Sequence, residues 1–186
     1  MKNKWCVSVA FLFFLVGICI NACTQECNSS NNDRWSEEKI QKWYDDQDWL
    51  IGCNYIPATA INQIEMWSAD TFNPKQIDKE LSWAHDLGFN TLRVFLSSVV
   101  WKNDAKGMKK RMDEFLNICK KYSIRPMFVF FDDCWNAESA YGKQPELKPG
   151  VHNSGWVQDP SCSLRKDTLT LYPFLQEYVK DIIRTY

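Results

Sequence analysis

The chain has 186 residues, 45% hydrophobic and 15% aromatic, with 22 basic against 23 acidic side chains and a formal net charge of −1. That length and balance suit one globular domain, and near-neutral charge removes the electrostatic case for a nucleic-acid partner. Nine tryptophans stand out, since Trp either fills cores or offers flat apolar faces to ligands.

The chain opens with Lys2 and Lys4 before an apolar run from Trp5 to about Ile20. The run is short for a membrane span and has the layout of a secretory signal, so residues 1–22 are expected to be a targeting segment. Ile20-Asn21-Ala22-Cys23 resembles a bacterial lipobox, in which a small residue precedes the cysteine that is acylated. Cys19 is the rival, but it follows the bulky Ile18. Lipidation at Cys23 is favoured over simple secretion. It would give an exported protein anchored to a membrane at the periplasm or cell surface, rather than one that spans it. Residues 23–34, rich in Asn and Ser, read as a polar tether, and residues 35–186 as the folded part.

From Trp35 to about Gln47 a short helix is expected, with Ser36 as its cap and Ile40, Trp43 and Tyr44 on one face. Trp49 to Tyr55 reads as a first strand. Asn73-Pro74-Lys75-Gln76 starts a helix with Asn as cap, Pro at its first position and Gln able to reach back. Ile77, Leu81, Ala84 and Leu87 line one side of that helix, and Gly88 closes it. Thr91 to Leu96 is the second strand. Met108, Met112, Phe115, Leu116 and Cys119 then recur at helical spacing, and Ile124 to Phe131 is the third strand, with Pro126 near its start. A loop from Asp132 to about Thr168 leads into a helix carrying Leu175, Tyr178, Val179, Ile182 and Tyr186.

Strands alternating with helices, and near-continuous apolar strands, mean a parallel sheet covered by helices. Each strand runs into a polar or aromatic loop, as where βα loops build a site at one face of a barrel, and no glycine-rich nucleotide fingerprint follows any strand. A closed barrel needs about 250 residues, so three strand–helix units amount to part of one.

Among the eight cysteines, Cys6 and Cys19 lie in the targeting segment and Cys23 would carry lipid. Cys27, Cys53, Cys119, Cys134 and Cys162 remain, an odd set in an oxidising compartment that allows two bridges at most. No CxxC pair exists, and His85 and His152 are the only imidazoles, so neither a metal nor a cofactor is expected. Cys53 and Cys119 fall in apolar segments, which predicts buried free thiols.

Candidate site residues gather at the strand ends. Asn54 follows strand one, and Arg93 lies inside strand two, where an apolar setting calls for a carboxylate partner. Asp132 and Asp133 close strand three. Being adjacent, they point to opposite faces and do not form a paired-carboxylate machine. The loop beyond them carries Trp135, Asn136, His152, Asn153 and Trp156. Amides, an imidazole and indoles suit a polyhydroxylated sugar, although a loop packing its own aromatics has the same composition.

Long strings of the chain resemble a known family. They are Gly52-Cys53-Asn54-Tyr55-Ile56-Pro57, Ala60 to Trp67, Thr71-Phe72, Asn90 to Leu96, Phe131 to Trp135, and Pro149 to Trp156. The family comprises secreted cellulase-like glycoside hydrolases of Bacteroidetes (family 5 type), often labelled 1,4-β-xylanases. The resemblance implies an α/β fold, a (β/α)8 TIM barrel present here as about its first three βα units. It implies a retaining glycosidase cutting a β-linked plant polysaccharide such as xylan, mannan or glucan. The two catalytic glutamates of the family end strands four and seven and are expected beyond Tyr186, so no catalytic residue is assigned in this chain. Carried over residue by residue, Arg93 resembles the arginine that supports the nucleophile. Asn54, Glu65, Trp67, Asp132, Trp135, Asn136, His152, Asn153 and Trp156 look like wall and subsite positions. The sequence departs from the family at Ser97, where relatives commonly show His. A non-catalytic carbohydrate-binding lipoprotein and an inactive gene fragment are the alternatives.

Overall fold

The computed structural model describes residues 34–186. The targeting segment 1–22, the lipobox with Cys23, and nearly all of the tether lie outside the described residues. The chain divides into two compact units, Met1–Asp48 and Trp49–Tyr186.

In the first unit, helix α1 (Glu37–Asp45) starts where its cap predicts: the Ser36 hydroxyl accepts from the Lys39 N–H at 3.3 Å. Glu37 and Glu38 fill the first turn, where the helix dipole favours negative charge. Ile40, Trp43 and Tyr44 are all exposed.

The second unit runs β1 (Gly52–Tyr55), α2 (Gln63–Trp67), α3 (Pro74–Asp86), β2 (Thr91–Phe95), α4 (Ser98–Lys121), β3 (Arg125–Val129), α5 (Cys162–Arg165) and α6 (Thr168–Thr185). The three strands form one parallel sheet in the order β1-β2-β3. The fold is therefore α/β, with parallel strands alternating with helices. Helix α3 begins at its expected cap, Asn73 accepting from the Gln76 N–H at 3.0 Å. The Gln76 side chain does not reach back; it donates to Glu80 Oε1 at 2.7 Å, because the i,i+4 carboxylate is the nearer acceptor. Gly88 ends the element with φ +84°, a left-handed turn that suits glycine.

Helix α4 starts earlier than the Met108–Cys119 pattern predicts and is broken at Asp104 (φ −152°, ψ 61°). The Asp104 carboxylate caps the second segment, accepting from the Gly107 N–H at 2.9 Å and pairing with Arg111 at 2.9 Å. Two short structures escaped the sequence reading. One is α2, all five residues of which are buried. The other is α5, which interrupts the loop expected to run from Asp132 to Thr168.

Register decides which face of the sheet each residue serves. Tyr55, Val94 and Phe128 are aligned across the strands, as are Asn54, Arg93 and Met127 in the next row. The first row joins Leu92, Ile77, Leu81, Met112, Phe115 and Ile182 in a single core, so β2, α3, α4 and α6 share it. The second row points the other way: Asn54 is exposed and Met127 is 56% exposed. Cys119 is the buried free thiol expected, held protonated with its pKa pushed up to about 12 by burial. Cys53 is exposed instead, because β1 is an outer strand whose residues 52–54 lack cover.

Gly52 is where β1 and β2 come closest. A Cβ there would stand 1.9 Å from the Thr91 carbonyl oxygen, a backbone atom held in the ladder. Gly52→Ala is expected to destabilise the fold by about 1–3 kcal/mol through strand displacement. Urea midpoints check this, and an unchanged midpoint would refute the close approach.

Candidate functional site

The C-terminal ends of the strands surround a small cavity of about 50 Å³ between Asn54, Phe95, Asp132 and Trp156, floored by Gln63 and Met66. That volume suits ordered water more than a whole ligand, so the cavity marks the bottom of a cleft.

Arg93 donates to Asn54 Oδ1 at 3.2 Å, and its guanidinium lies 4.5 Å over the Phe95 ring. The carboxylate partner expected for Arg93 is thus replaced by an amide and an aromatic face. Half-buried on the uncovered face of the sheet, the cation keeps contact with solvent and needs no counter-ion. On β1 the loop after Tyr55 is tied down by Glu80, which accepts from Tyr55 Oη at 2.8 Å and from the Ala58 N–H at 3.0 Å.

The two acids after β3 diverge as expected. Asp132 faces the cavity and accepts from the Cys134 N–H at 3.0 Å, while Asp133 pairs with Arg165. Arg165 also donates to the Pro160 carbonyl at 2.9 Å, which draws the far limb of the loop back to its start. Backbone bridges join Asp132 to Asp159 and Asn136 to Val157. The Asn136 side-chain amide adds bonds to the Ser154 and Trp156 carbonyls at 2.9 and 2.8 Å.

This stitching brings Trp135, His152 and Trp156 together. Trp135 meets His152 edge to face at 5.6 Å and Trp156 at 5.7 Å. Asn153, in the left-handed region at φ +50°, makes the turn that returns the chain to Trp156, whose N–H bonds the Asn153 carbonyl at 3.0 Å. The structure therefore gathers Asn54, Asp132 and Trp156 at the cavity, with Arg93 bonded to Asn54 beside it, Trp135 against Trp156, and His152 against Trp135.

Two expected wall residues are placed elsewhere. Trp67 is fully buried against Phe72, Phe115 and Phe128, so its face is not offered to a ligand. Glu65 is buried and accepts from the Ile61 N–H at 2.8 Å, closing its own turn. The physical cause is α2, which packs all of its side chains inward. Ser97, the departure from the family pattern, is also buried, and its hydroxyl caps α4 at Val100 at 3.3 Å.

Three residues that the sequence reading missed hold the loop in place. Asn62 Nδ2 donates to Gln144 Oε1 and to the Gly155 carbonyl, both at 2.9 Å, and Gln63 Nε2 donates to the Val157 carbonyl at 2.9 Å. Asp159, only 2% exposed, accepts from the Ser98 N–H at 2.6 Å and from the Ser98 hydroxyl. Burial pushes its carboxyl up to about 6 against the pull of the Ser98 bonds, with nearby Asp132 adding a smaller upward push. The one available signal was an amide pair, Asn62-Gln63, in an otherwise apolar stretch. Buried amides of that kind hydrogen-bond backbone.

No family model matches the chain, and no curated protein matches it. Among solved structures the chain is similar to part of an exo-beta-1,4-mannosidase, Op5Man5 from Opitutaceae bacterium strain TAV5. Identity is 24% and the TM-score 0.42, over 65% of this chain and 19% of that one.

Proposed function

We propose that this chain forms part of a (β/α)8-barrel glycoside hydrolase acting on a β-linked plant polysaccharide such as xylan, mannan or glucan. The observation that carries the reading is the convergence of Asn54, Asp132 and Trp156 at the C-terminal ends of parallel strands, with Arg93 of β2 bonded to Asn54. The core covers one side of the sheet and leaves the Asn54–Arg93–Met127 row open. A doubly wound sheet buries both faces with helices, whereas a barrel wall turns one face inward. Amide, guanidinium and carboxylate groups bond sugar hydroxyls in the ring plane, and the Trp135–Trp156 pair presents aromatic surface to a ring face.

Within this reading Arg93 is a positioning group and Trp135, His152 and Trp156 make one wall. No carboxylate of the chain is assigned to bond cleavage, which in a retaining enzyme takes two carboxyl groups about 5 Å apart. The proposal extends to an exported protein tethered to a membrane by lipid on Cys23, tested by labelling with radioactive palmitate in wild type and Cys23→Ala.

The deciding experiment titrates the chain with xylohexaose, mannohexaose and cellohexaose while following tryptophan fluorescence. One of the three is expected to bind, and Trp156→Ala is expected to weaken it about tenfold, or about 1.4 kcal/mol. Equal binding by wild type and variant, or no binding of any hexaose, would remove the reading.

A further inference from the structure

The cavity at the strand ends holds about 50 Å³, room for a few waters but not for a sugar ring. Its walls are of two kinds. Ile56, Met66 and Phe95 make an apolar side, and Asn54, Gln63 and Asp132 bring polar groups to the same space. Gln63, 6% exposed, spends Nε2 on the Val157 carbonyl, which leaves Oε1 as its acceptor. Asn54 spends Oδ1 on Arg93, which leaves the N–H donors of its amide. Asp132 holds the Cys134 N–H through Oδ1, which leaves Oδ2.

We infer, on the glycoside-hydrolase reading of the cleft, that this cavity receives the exocyclic hydroxymethyl arm of a hexose unit. The cleft is thereby selective for a β-linked hexose polymer, such as mannan or glucan, over xylan. A hydroxymethyl arm has two heavy atoms, and the cavity serves each of them. The methylene meets Ile56, Met66 and Phe95, an apolar surface that water cannot use. The hydroxyl has one hydrogen to give and lone pairs to accept with. Gln63 Oε1 and Asp132 Oδ2 are acceptors for that hydrogen, and the Asn54 amide is a donor to the oxygen. An arm that repeats the hydrogen bonds of a water and adds apolar contact is favoured over the water it displaces.

Xylose has only hydrogen at the corresponding carbon, so a xylan chain leaves this space to water. Trp156 belongs both to the cavity and to the aromatic wall with Trp135, so a ring resting on that wall stands next to the opening. The floor is also fixed in advance. Met66 is held in the buried helix α2, and Gln63 is bonded to the loop backbone.

Cellohexaose and xylohexaose are alike in linkage and ring stereochemistry and differ at the hydroxymethyl group of each unit. When the full chain is titrated by tryptophan fluorescence, cellohexaose or mannohexaose is expected to bind about tenfold or more tightly than xylohexaose. That is the discrimination a fitted pocket gives for one small group. Ile56→Phe, which puts a ring into the cavity, is expected to bring the preference to within about threefold of unity. Asp132→Asn keeps the shape and a partner for the Cys134 N–H. It is expected to reduce the preference about threefold or more, because a charge-assisted bond becomes a neutral one. Circular dichroism confirms that both variants fold, and either one suffices should the other not. Xylohexaose binding as tightly as the hexose oligomers, or a preference that survives the substitutions, would overturn the inference and leave the glycoside-hydrolase reading in place. No binding of any of the three would remove both.

Discussion

Trp67→Ala is expected to cost about 3–5 kcal/mol of folding stability, the range found for large aromatic truncations in cores. Trp67 is 0% exposed and sits where three parts of the unit meet. Its ring packs edge to face on Phe115 at 5.6 Å and on Phe128 at 6.3 Å, and stacks on Phe72 at 6.4 Å. Its Nε1–H donates to the Phe95 carbonyl at 2.7 Å, at the end of β2. Its own carbonyl accepts from Arg111 Nε at 2.6 Å, which links α2 to α4. Truncation would open a void and leave the Phe95 carbonyl without its donor. Trp67→Phe separates the two effects, restoring most of the volume but not the bond, and is expected to cost about 1–3 kcal/mol. Urea denaturation of the three proteins measures both losses. A cost below about 1 kcal/mol for Trp67→Ala would show that the residue does not sit in the core.

The second large effect concerns Asp159 and pH. Burial raises its carboxyl to about 6 in the folded chain, above the 3.8 of an aspartate exposed on unfolding. An acid whose folded pKa is raised binds its proton more tightly in the folded state. Its contribution to stability is therefore complete below about pH 4 and is lost as pH rises to about 6. A shift of about two units corresponds to roughly 3 kcal/mol. The groups facing it are Ser98 and Ser97, whose bonds lower the value, and Asp132, which raises it. Tyr178 also lies within its field, and burial holds that phenol protonated.

Asp159→Asn keeps an acceptor for the Ser98 N–H and carries no charge. The difference in stability between variant and wild type is expected to swing by roughly 3 kcal/mol in favour of the variant between pH 4 and pH 7. Parallel stability–pH curves would contradict this. Asp159→Ala, which leaves the buried Ser98 N–H without an acceptor, is expected to cost about 1–3 kcal/mol at pH 4. Because Asp159 anchors the limb that carries Trp156, that variant is also expected to weaken hexaose binding at the cleft.

The boundaries legible in the sequence were those set by local chemistry. Ser36 and Asn73 cap the helices that they precede, Gly88 ends α3, and the spacing of Met108, Met112, Phe115 and Cys119 selects the buried face of α4. Asp132 and Asp133 diverge because neighbours in extended chain must. Where partners came from far along the chain, the reading went astray. Arg93 was expected to need a carboxylate, and Trp67 and Glu65 to line a wall. Each expectation turned on which face of the sheet or helix stays uncovered, and a local pattern does not contain that.

The sequence by itself determined an alternating strand–helix order, the three strands, the caps, and the loop that carries Trp135, Asn136, His152 and Trp156. These follow from short-range sterics and hydrogen bonding within a few residues. Only the tertiary structure decided that α2 turns Trp67 into the core and that Asn62 and Gln63 clamp a loop more than 80 residues away. It also placed Asp159 on Ser98, 61 positions apart in sequence. Each is a buried polar or aromatic group whose energy depends on the exclusion of water, and that exclusion exists only once distant segments have packed.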